Sequence, residues 1–139
     1  VANLPDITLA PLFSDPAFQQ ASGADKATFQ GLVDSFNNQL GAALDGFGAS
    51  TGLDVKELDL DKLFDAIAAD PSAYGFINVA EPVLAAPPGS TPAPVYNPAI
   101  VGQDPAVQHA TLFLDPFFHP TALGQAIVAE TARSELLIA

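Results

Sequence analysis

A long run of apolar residues, spaced three and four positions apart, constrains the fold more than any other feature of the sequence. The run comprises Phe29, Leu32, Val33, Phe36, Leu40, Ala43, Leu44 and Phe47. Because this spacing matches the helical period, it predicts a long amphipathic helix whose polar residues, such as Asp34 and Asn37, lie mostly on the other face. Glycines at positions 46, 48 and 52 mark the end of that helix.

Two further helices and three short strands are predicted around this helix. One helix spans Leu60–Ala69 after an N-cap at Asp59, and the last spans residues 121–138 with Thr121 as its cap. Strands are predicted at the opening of the chain, at residues 53–58 and at residues 110–114. The alternation of strands and helices predicts an α/β fold with a mostly parallel sheet and helices on its faces.

Seven of the 13 prolines lie within residues 82–109. Because proline lacks an amide donor, this density argues against a helix or a central strand in the segment. We therefore predict a Pro-rich loop over residues 82–109. Two interpretations remain open for it: a solvated surface excursion, which is the commoner case, or a binding loop.

Composition limits the class of protein and its partners. The 139 residues are 49% hydrophobic and 14% charged, which predicts one globular domain over residues 1–139. A net charge of −12 disfavours nucleic acids and anionic membrane surfaces, and no apolar run is long enough to predict a transmembrane span. With no Cys and two His, a structural metal site is not expected.

The segment that carries candidate chemistry is Leu112 to Thr121, in which a predicted strand leads into Asp115 and His119. Acyl transfer needs a rigidly held imidazole that takes a proton from a hydroxyl and returns it to the leaving group. A nearby carboxylate can orient that imidazole and stabilise its charged form. The local pattern leaves another interpretation open, in which Asp115 forms an Asp-Pro turn and His119 fills space beside the flanking phenylalanines.

The closing stretch resembles the last conserved block of the SGNH/GDSL hydrolases. In that block an apolar strand runs into an Asp, two further residues, His-Pro-Thr and a helix, and His119-Pro120-Thr121 matches this layout. Residues 3–12 and 36–40 are similar to two earlier segments of the family. Residues 58–79 resemble a stretch of its bacterial phospholipase, haemolysin and autotransporter-esterase branch. The resemblance covers nearly the whole chain in the family's order.

This resemblance implies the C-terminal part of a flavodoxin-like, three-layer α/β/α sandwich, with residues 1–139 forming part of a single hydrolase domain. It also implies a serine carboxylic-ester hydrolase that acts on esters or lipids without a metal or organic cofactor. The expected location is secreted, periplasmic or at the cell surface. His119 is the expected catalytic histidine and Asp115 the expected acid. Phe117, Phe118 and Tyr96 are the expected substrate-binding residues.

Two departures from the family pattern matter for function. No Gly-Asp-Ser nucleophile block occurs, so the nucleophile is expected on a missing N-terminal part of the same domain, and the chain alone is expected to be inactive. In addition, Asp115 lies four positions before His119 where the family has three. Either the backbone bulges at Phe117 and Phe118 so that Asp115 reaches His119, or the acid has been lost.

Two rival hypotheses remain open beside the hydrolase. The chain could be a non-catalytic binding domain that kept the hydrolase architecture, which the missing nucleophile block and the shifted Asp115 both favour. A weaker hypothesis is an acidic structural protein without a cleft beside His119.

Overall fold

The computed structural model describes residues 1–16, 18, 25–85, 95–101 and 105–137, and this part of the chain is mostly helical. The helices are α1 Lys26–Thr51, α2 Leu60–Ala69, α3 Pro98–Val101, α4 Pro105–His109 and α5 Ala122–Leu137. Two strands of two residues each, β1 Leu84–Ala85 and β2 Val95–Tyr96, pair in antiparallel fashion. Short 3-10 turns lie over Ile7–Leu9, Pro11–Ser14 and Pro71–Tyr74.

The predicted helices are confirmed, and α1 and α2 have the capping that their sequences favour. The Asp25 side chain accepts a hydrogen bond from the Ala27 amide at the start of α1. At the end of α1, Gly52 adopts a left-handed conformation with φ of 73°, which glycine tolerates best. The Asp59 carboxylate accepts from the Lys62 amide at 3.0 Å and so caps α2 as predicted.

The predicted parallel sheet, and with it the three-layer α/β/α sandwich, is wrong. Among the described residues the predicted strands contribute only isolated bridges, of which Ala2–Leu58 and Asn78–Thr111 are parallel and Phe113–Pro120 is antiparallel. The segments are too short to extend these bridges into a ladder. Leu58 is followed at once by the cap of α2. The Asn78 side chain accepts from the amides of the second and third residues after it, which turns the chain immediately after its bridge.

The Pro-rich segment 82–109 holds more regular structure than its composition predicts. Its described residues form the β1–β2 pair and the helices α3 and α4. The prediction that proline excludes helix here is wrong because Pro98 and Pro105 stand at the first position of their helices, where no amide donor is needed. Residues 86–94 and 102–104, where the loop prediction also applies, lie outside the described residues.

The core lies where α2 and α5 pack on residues 111–113. Its buried members are Leu63, Phe64, Ile67, Phe76, Leu112 and Phe113, with Phe118, Leu123, Ile127 and Val128 packed against them. Thr121 is not the side-chain cap of α5 that we predicted. Its hydroxyl instead donates to the Thr111 carbonyl oxygen at 2.7 Å, which ties the start of α5 to the core.

Helix α1 is less buried than α2, and Val33 is its buried residue. It contacts the 3-10 turn Ile7–Leu9, and its Phe29 ring packs edge-on against Phe13 with 5.2 Å between the centroids. Polar side chains add further connections to the opening segment. Gln30 Nε2 donates to Asp6 Oδ2 at 2.9 Å, and the Asn37 amide both donates to and accepts from the backbone of Leu4. In the part of the chain that the structure describes, no helix has the length and hydrophobicity that a membrane span requires.

Candidate active site

The candidate site lies at a four-residue loop, residues 115–118, that joins two short antiparallel segments. The Leu114 amide donates to the His119 carbonyl oxygen at 2.7 Å, and the Thr121 amide donates to the Leu112 carbonyl oxygen at 2.8 Å. A bridge joins Phe113 to Pro120 between these two bonds. Asp115 therefore begins the loop and His119 follows it, so the two residues face one another across its mouth.

The carboxylate and the imidazole are in direct contact. His119 Nδ1 lies 2.6 Å from Asp115 Oδ2, while Asp115 Oδ1 accepts from the Phe117 amide at 2.8 Å. The Asp115 side chain is 22% exposed and the His119 side chain 69% exposed. An ionised carboxylate can only accept hydrogen bonds, so this contact places the proton of a neutral imidazole on Nδ1. Within the described residues Nε2 has no hydrogen-bond partner and is left to act on another group.

The extra residue between Asp115 and His119 is taken up by the backbone of Phe118. Its φ of 79° lies in the left-handed region, which costs a non-glycine residue about 1–2 kcal/mol. Packing opposes this cost, because the Phe118 ring lies 4.9 Å from the Phe64 ring and 5.3 Å from the Phe113 ring, centroid to centroid. The loop thus bulges, and Asp115 reaches His119 despite the unusual spacing.

An open cavity of about 460 Å³ lies beside this loop, and we call it the Pro116 cleft. Its apolar lining includes Pro11, Leu12, Pro16, Pro82, Pro116 and Phe117. The Leu12 amide donates to the Pro116 carbonyl oxygen at 3.1 Å, which fixes one wall of the cleft to the loop of the candidate site. A substrate held in the cleft would therefore lie against the chain between Asp115 and His119.

The three predicted substrate-binding residues have different environments. Phe117 is 57% exposed and lines the Pro116 cleft. Phe118 packs instead against the core, because its left-handed backbone directs the ring toward Phe64 and Phe113. Tyr96 is exposed on β2, and its neighbour Asn97 is the residue that lines the cleft. The structure thus brings Phe117, but neither of the other two, to the cleft.

Gly124 is a residue of this site that the sequence analysis missed. A Cβ atom at this position would lie 2.8 Å from the Pro120 Cβ and 3.3 Å from the Leu112 Cδ1. Glycine therefore lets the first turn of α5 approach the chain directly behind His119. The signal was available, since an isolated glycine inside a predicted helix often marks a close packing contact.

His109 has a different setting from His119. It ends α4, is exposed, and lines a separate cavity of about 230 Å³ with residues that include Gln108 and Gln125. No carboxylate contact to His109 is found in the part of the chain described. His109 therefore provides a natural control for experiments on His119.

The described residues contain no group of three or more His, Cys, Asp or Glu arranged to hold a metal ion. What the site offers is an oriented imidazole with an open Nε2, a supporting acid and an adjoining apolar cleft. These parts suit general base chemistry. No known family model matches the chain, and no curated protein sequence matches it significantly.

Proposed function

We propose that His119 and Asp115 are the base and the supporting acid of a serine-type carboxylic-ester hydrolase. The observation that carries this proposal is the 2.6 Å contact between His119 Nδ1 and Asp115 Oδ2, made by a ring that is otherwise open to solvent. A histidine that only filled space would be covered by its neighbours. The resemblance of residues 112–121 to the last block of the SGNH/GDSL hydrolases supports the same assignment.

In the proposed reaction, His119 Nε2 takes the proton from a serine hydroxyl as that oxygen attacks the ester carbonyl. The imidazolium that forms is stabilised by Asp115, which stays ionised. His119 then gives the proton to the departing alkoxide, and an acyl-enzyme remains. Water, activated by the same nitrogen, hydrolyses the acyl-enzyme in the second half of the reaction.

The hydroxyl and the oxyanion donors are supplied, in this proposal, from outside these 139 residues. The sequence contains no Gly-Asp-Ser, and no serine hydroxyl among the described residues lies within hydrogen-bond distance of His119. Without a nucleophile the imidazole has no hydroxyl proton to remove. We therefore propose that the chain by itself does not turn over esters, and that the natural polypeptide in which it occurs does.

Hydrolysis of p-nitrophenyl butyrate by that natural polypeptide tests the proposal. We expect His119→Ala to lower kcat by more than about a hundredfold, with little change in KM, since a general base contributes about 10²–10⁴ to the rate. His109→Ala changes the other histidine and is expected to leave kcat within about twofold of the unmodified protein, because His109 lies outside the proposed reaction. Circular dichroism and thermal unfolding of both variants show that any loss is not a loss of folding.

Asp115→Asn separates the supporting acid from the base. We expect kcat to fall by about tenfold or more, because the imidazole loses the group that holds its proton on Nδ1. Full activity in His119→Ala would refute the proposal. Absence of hydrolysis by the unmodified natural polypeptide would favour the second candidate, a non-catalytic binding domain, which the missing Gly-Asp-Ser already supports.

A further inference from the structure

We infer that the Pro116 cleft binds the acyl chain of an uncharged ester and discriminates against anionic substrates, with Glu81 as the residue that sets this specificity. This inference deepens the proposed function, and its assignment to an ester rests on that proposal. The binding preference itself depends only on the cleft.

The position and lining of the cleft suit an acyl chain. Pro116 and Phe117 line it and belong to the loop between Asp115 and His119, so a ligand in the cleft lies next to the candidate site. Proline walls have little conformational freedom to lose when a ligand binds. A volume of about 460 Å³ falls in the range of roughly 300–1,000 Å³ that small-molecule sites occupy.

The charge of the cleft has one sign. Asp15 and Glu81 are in its lining, and none of the chain's four basic residues is. Those four residues, Lys26, Lys56, Lys62 and Arg133, are all within the described part of the chain. Because the net charge of the whole chain is also negative, at −12, the cleft presents a negative potential to any ligand that enters.

The Glu81 carboxylate is held in place by the structure around it. Asn97 Nδ2 donates to Glu81 Oε2 at 3.3 Å and to the Pro82 carbonyl oxygen at 3.0 Å. Asn97 is 7% exposed, and its side-chain oxygen accepts from the Ala99 amide at 3.0 Å. The Glu81 amide is fixed as well, because it donates to the Asn78 side chain. A carboxylate fixed at the wall of a cleft repels a bound anion more effectively than a freely rotating one.

A matched pair of ligands tests the preference on the chain itself. Methyl hexanoate and monomethyl adipate have the same ester group and the same six-carbon acyl chain, but the adipate ends in a carboxylate and the hexanoate in a methyl group. Titration of the ¹⁵N-labelled chain with each ligand, followed by ¹H–¹⁵N spectra, gives both the affinity and the binding site. The expected shifts lie on the amides of Glu81, Asn97 and Phe117.

We expect monomethyl adipate to bind about fivefold more weakly than methyl hexanoate at low salt, as repulsion between unit charges a few ångströms apart in water predicts. The ratio of dissociation constants should fall in 0.5 M NaCl, where the screening length is only about 4 Å. Equal affinities at low salt, tighter binding of the adipate, or shifts confined to residues outside the cleft would each overturn the inference.

Glu81→Gln assigns the preference to one side chain. This substitution keeps the shape of the side chain, removes its charge and leaves an amide that can still pair with Asn97. We expect the ratio of the two dissociation constants to fall from about fivefold to about twofold, because one of two repulsive charges is lost. The remaining preference would come from Asp15. The control, Asp45→Asn, removes an equal charge from an exposed position on α1 and should leave the ratio unchanged. An unchanged ratio in Glu81→Gln contradicts the assignment.

Failure of this inference is distinguishable from failure of the proposed function. The titration requires no nucleophile and no turnover, whereas the hydrolysis assay on His119→Ala requires both. If the cleft prefers the uncharged ester but the protein does not hydrolyse it, the inferred specificity stands and the proposed catalysis is refuted. If the protein is an active hydrolase but binds both ligands equally, the catalysis stands and the specificity is refuted.

Discussion

Helix α1 and the chain around residues 111–121 contrast in how each is held in place. Residues 111–113 are buried beneath α2 and α5, and the loop with Asp115 and His119 extends directly from them. Helix α1 is the longest helix described, yet Leu32, Phe36 and Phe47 on it are exposed. The candidate site thus stands on the buried core of the described chain, whereas α1 is joined to the opening segment by polar side chains and by the contact between the Phe29 and Phe13 rings.

This difference teaches that hydrophobic spacing and burial are separate properties. The apolar stripe of α1 is long enough to form a helix, but among the described residues little covers it. The core around Ile67, Leu112 and Phe113 is contributed by shorter segments, among them the ten-residue helix α2. Stability is therefore expected to depend on residues near the site much more than on the longest helix.

The same substitution in both regions gives the largest expected contrast. Leu112 is 1% exposed, and we expect Leu112→Ala to lower the free energy of unfolding by about 3–4 kcal/mol through lost burial and a residual cavity. Leu32 is 61% exposed on α1, and Leu32→Ala should lower the free energy of unfolding by less than about 0.5 kcal/mol, as is usual for surface positions. Urea unfolding measures both. Similar costs for the two variants would show that α1 is covered as well as the core.

A glycine-to-alanine pair sharpens the contrast near the site. Gly124→Ala introduces a Cβ that would crowd the side chains of Pro120 and Leu112 behind His119, and we expect the free energy of unfolding to fall by about 2 kcal/mol. Gly41 lies on α1 with no atom within 4 Å of the added Cβ. There alanine should stabilise the protein by about 0.5–1 kcal/mol because it favours the helix. A stabilising Gly124→Ala would show that α5 does not approach Pro120 so closely.

Asp6 tests the polar connection of α1. Burial alone would raise the pKa of its carboxyl, but hydrogen bonds from Thr8 and Gln30 outweigh that effect and lower the pKa. The stabilisation is therefore full above the ordinary pKa near 4 and is lost as the pH falls through the lower pKa of the folded protein. We expect Asp6→Asn to lower the free energy of unfolding by about 1.5 kcal/mol at pH 7, since it removes the oxygen that accepts the hydrogen bond from Gln30. The cost should shrink steadily in unfolding curves recorded below about pH 4.

Asp61 provides a control for Asp6. Asp61→Asn removes the same charge as Asp6→Asn but is expected to have the opposite effect on the free energy of unfolding. Partial burial, followed by repulsion from Asp65 and Asp6, raises the pKa of the Asp61 carboxyl. Its ionisation therefore opposes folding at neutral pH, and the opposition is absent below the ordinary pKa. Asp61→Asn should stabilise the protein at pH 7 by a few tenths of a kcal/mol, roughly, because solvent screens the repulsion. Destabilisation by both variants at neutral pH would contradict this electrostatic account.

The sequence predicts the helices well because their signals are local. Apolar spacing identifies α1, the Asp59 cap fixes the start of α2, and Gly52 marks the end of α1. The sheet prediction fails because pairing depends on partners distant in sequence. Residues 53–58 and 110–114 are apolar enough for strands, but the turns beside them limit each described pairing to isolated bridges.

For the site, the sequence identifies the residues but not their arrangement. The His-Pro-Thr layout points to His119 and Asp115, while the spacing between them leaves two alternatives open. Only the backbone resolves the geometry, since the left-handed conformation of Phe118 follows from its packing against Phe64 and Phe113 rather than from local preference. The walls of the Pro116 cleft come from segments distant in sequence, and for that reason Glu81 and Asn97 were not predicted.

The tautomer of His119 tests the central claim most directly. Long-range ¹H–¹⁵N NMR of the chain, at a pH where the imidazole is neutral, identifies which ring nitrogen carries the proton. We expect the proton of His119 on Nδ1, facing Asp115, while His109 has the Nε2–H form that is usual without such a partner. Asp115→Ala should return His119 to that usual form. A proton on His119 Nε2 in the unmodified chain, unaffected by Asp115→Ala, would contradict the account.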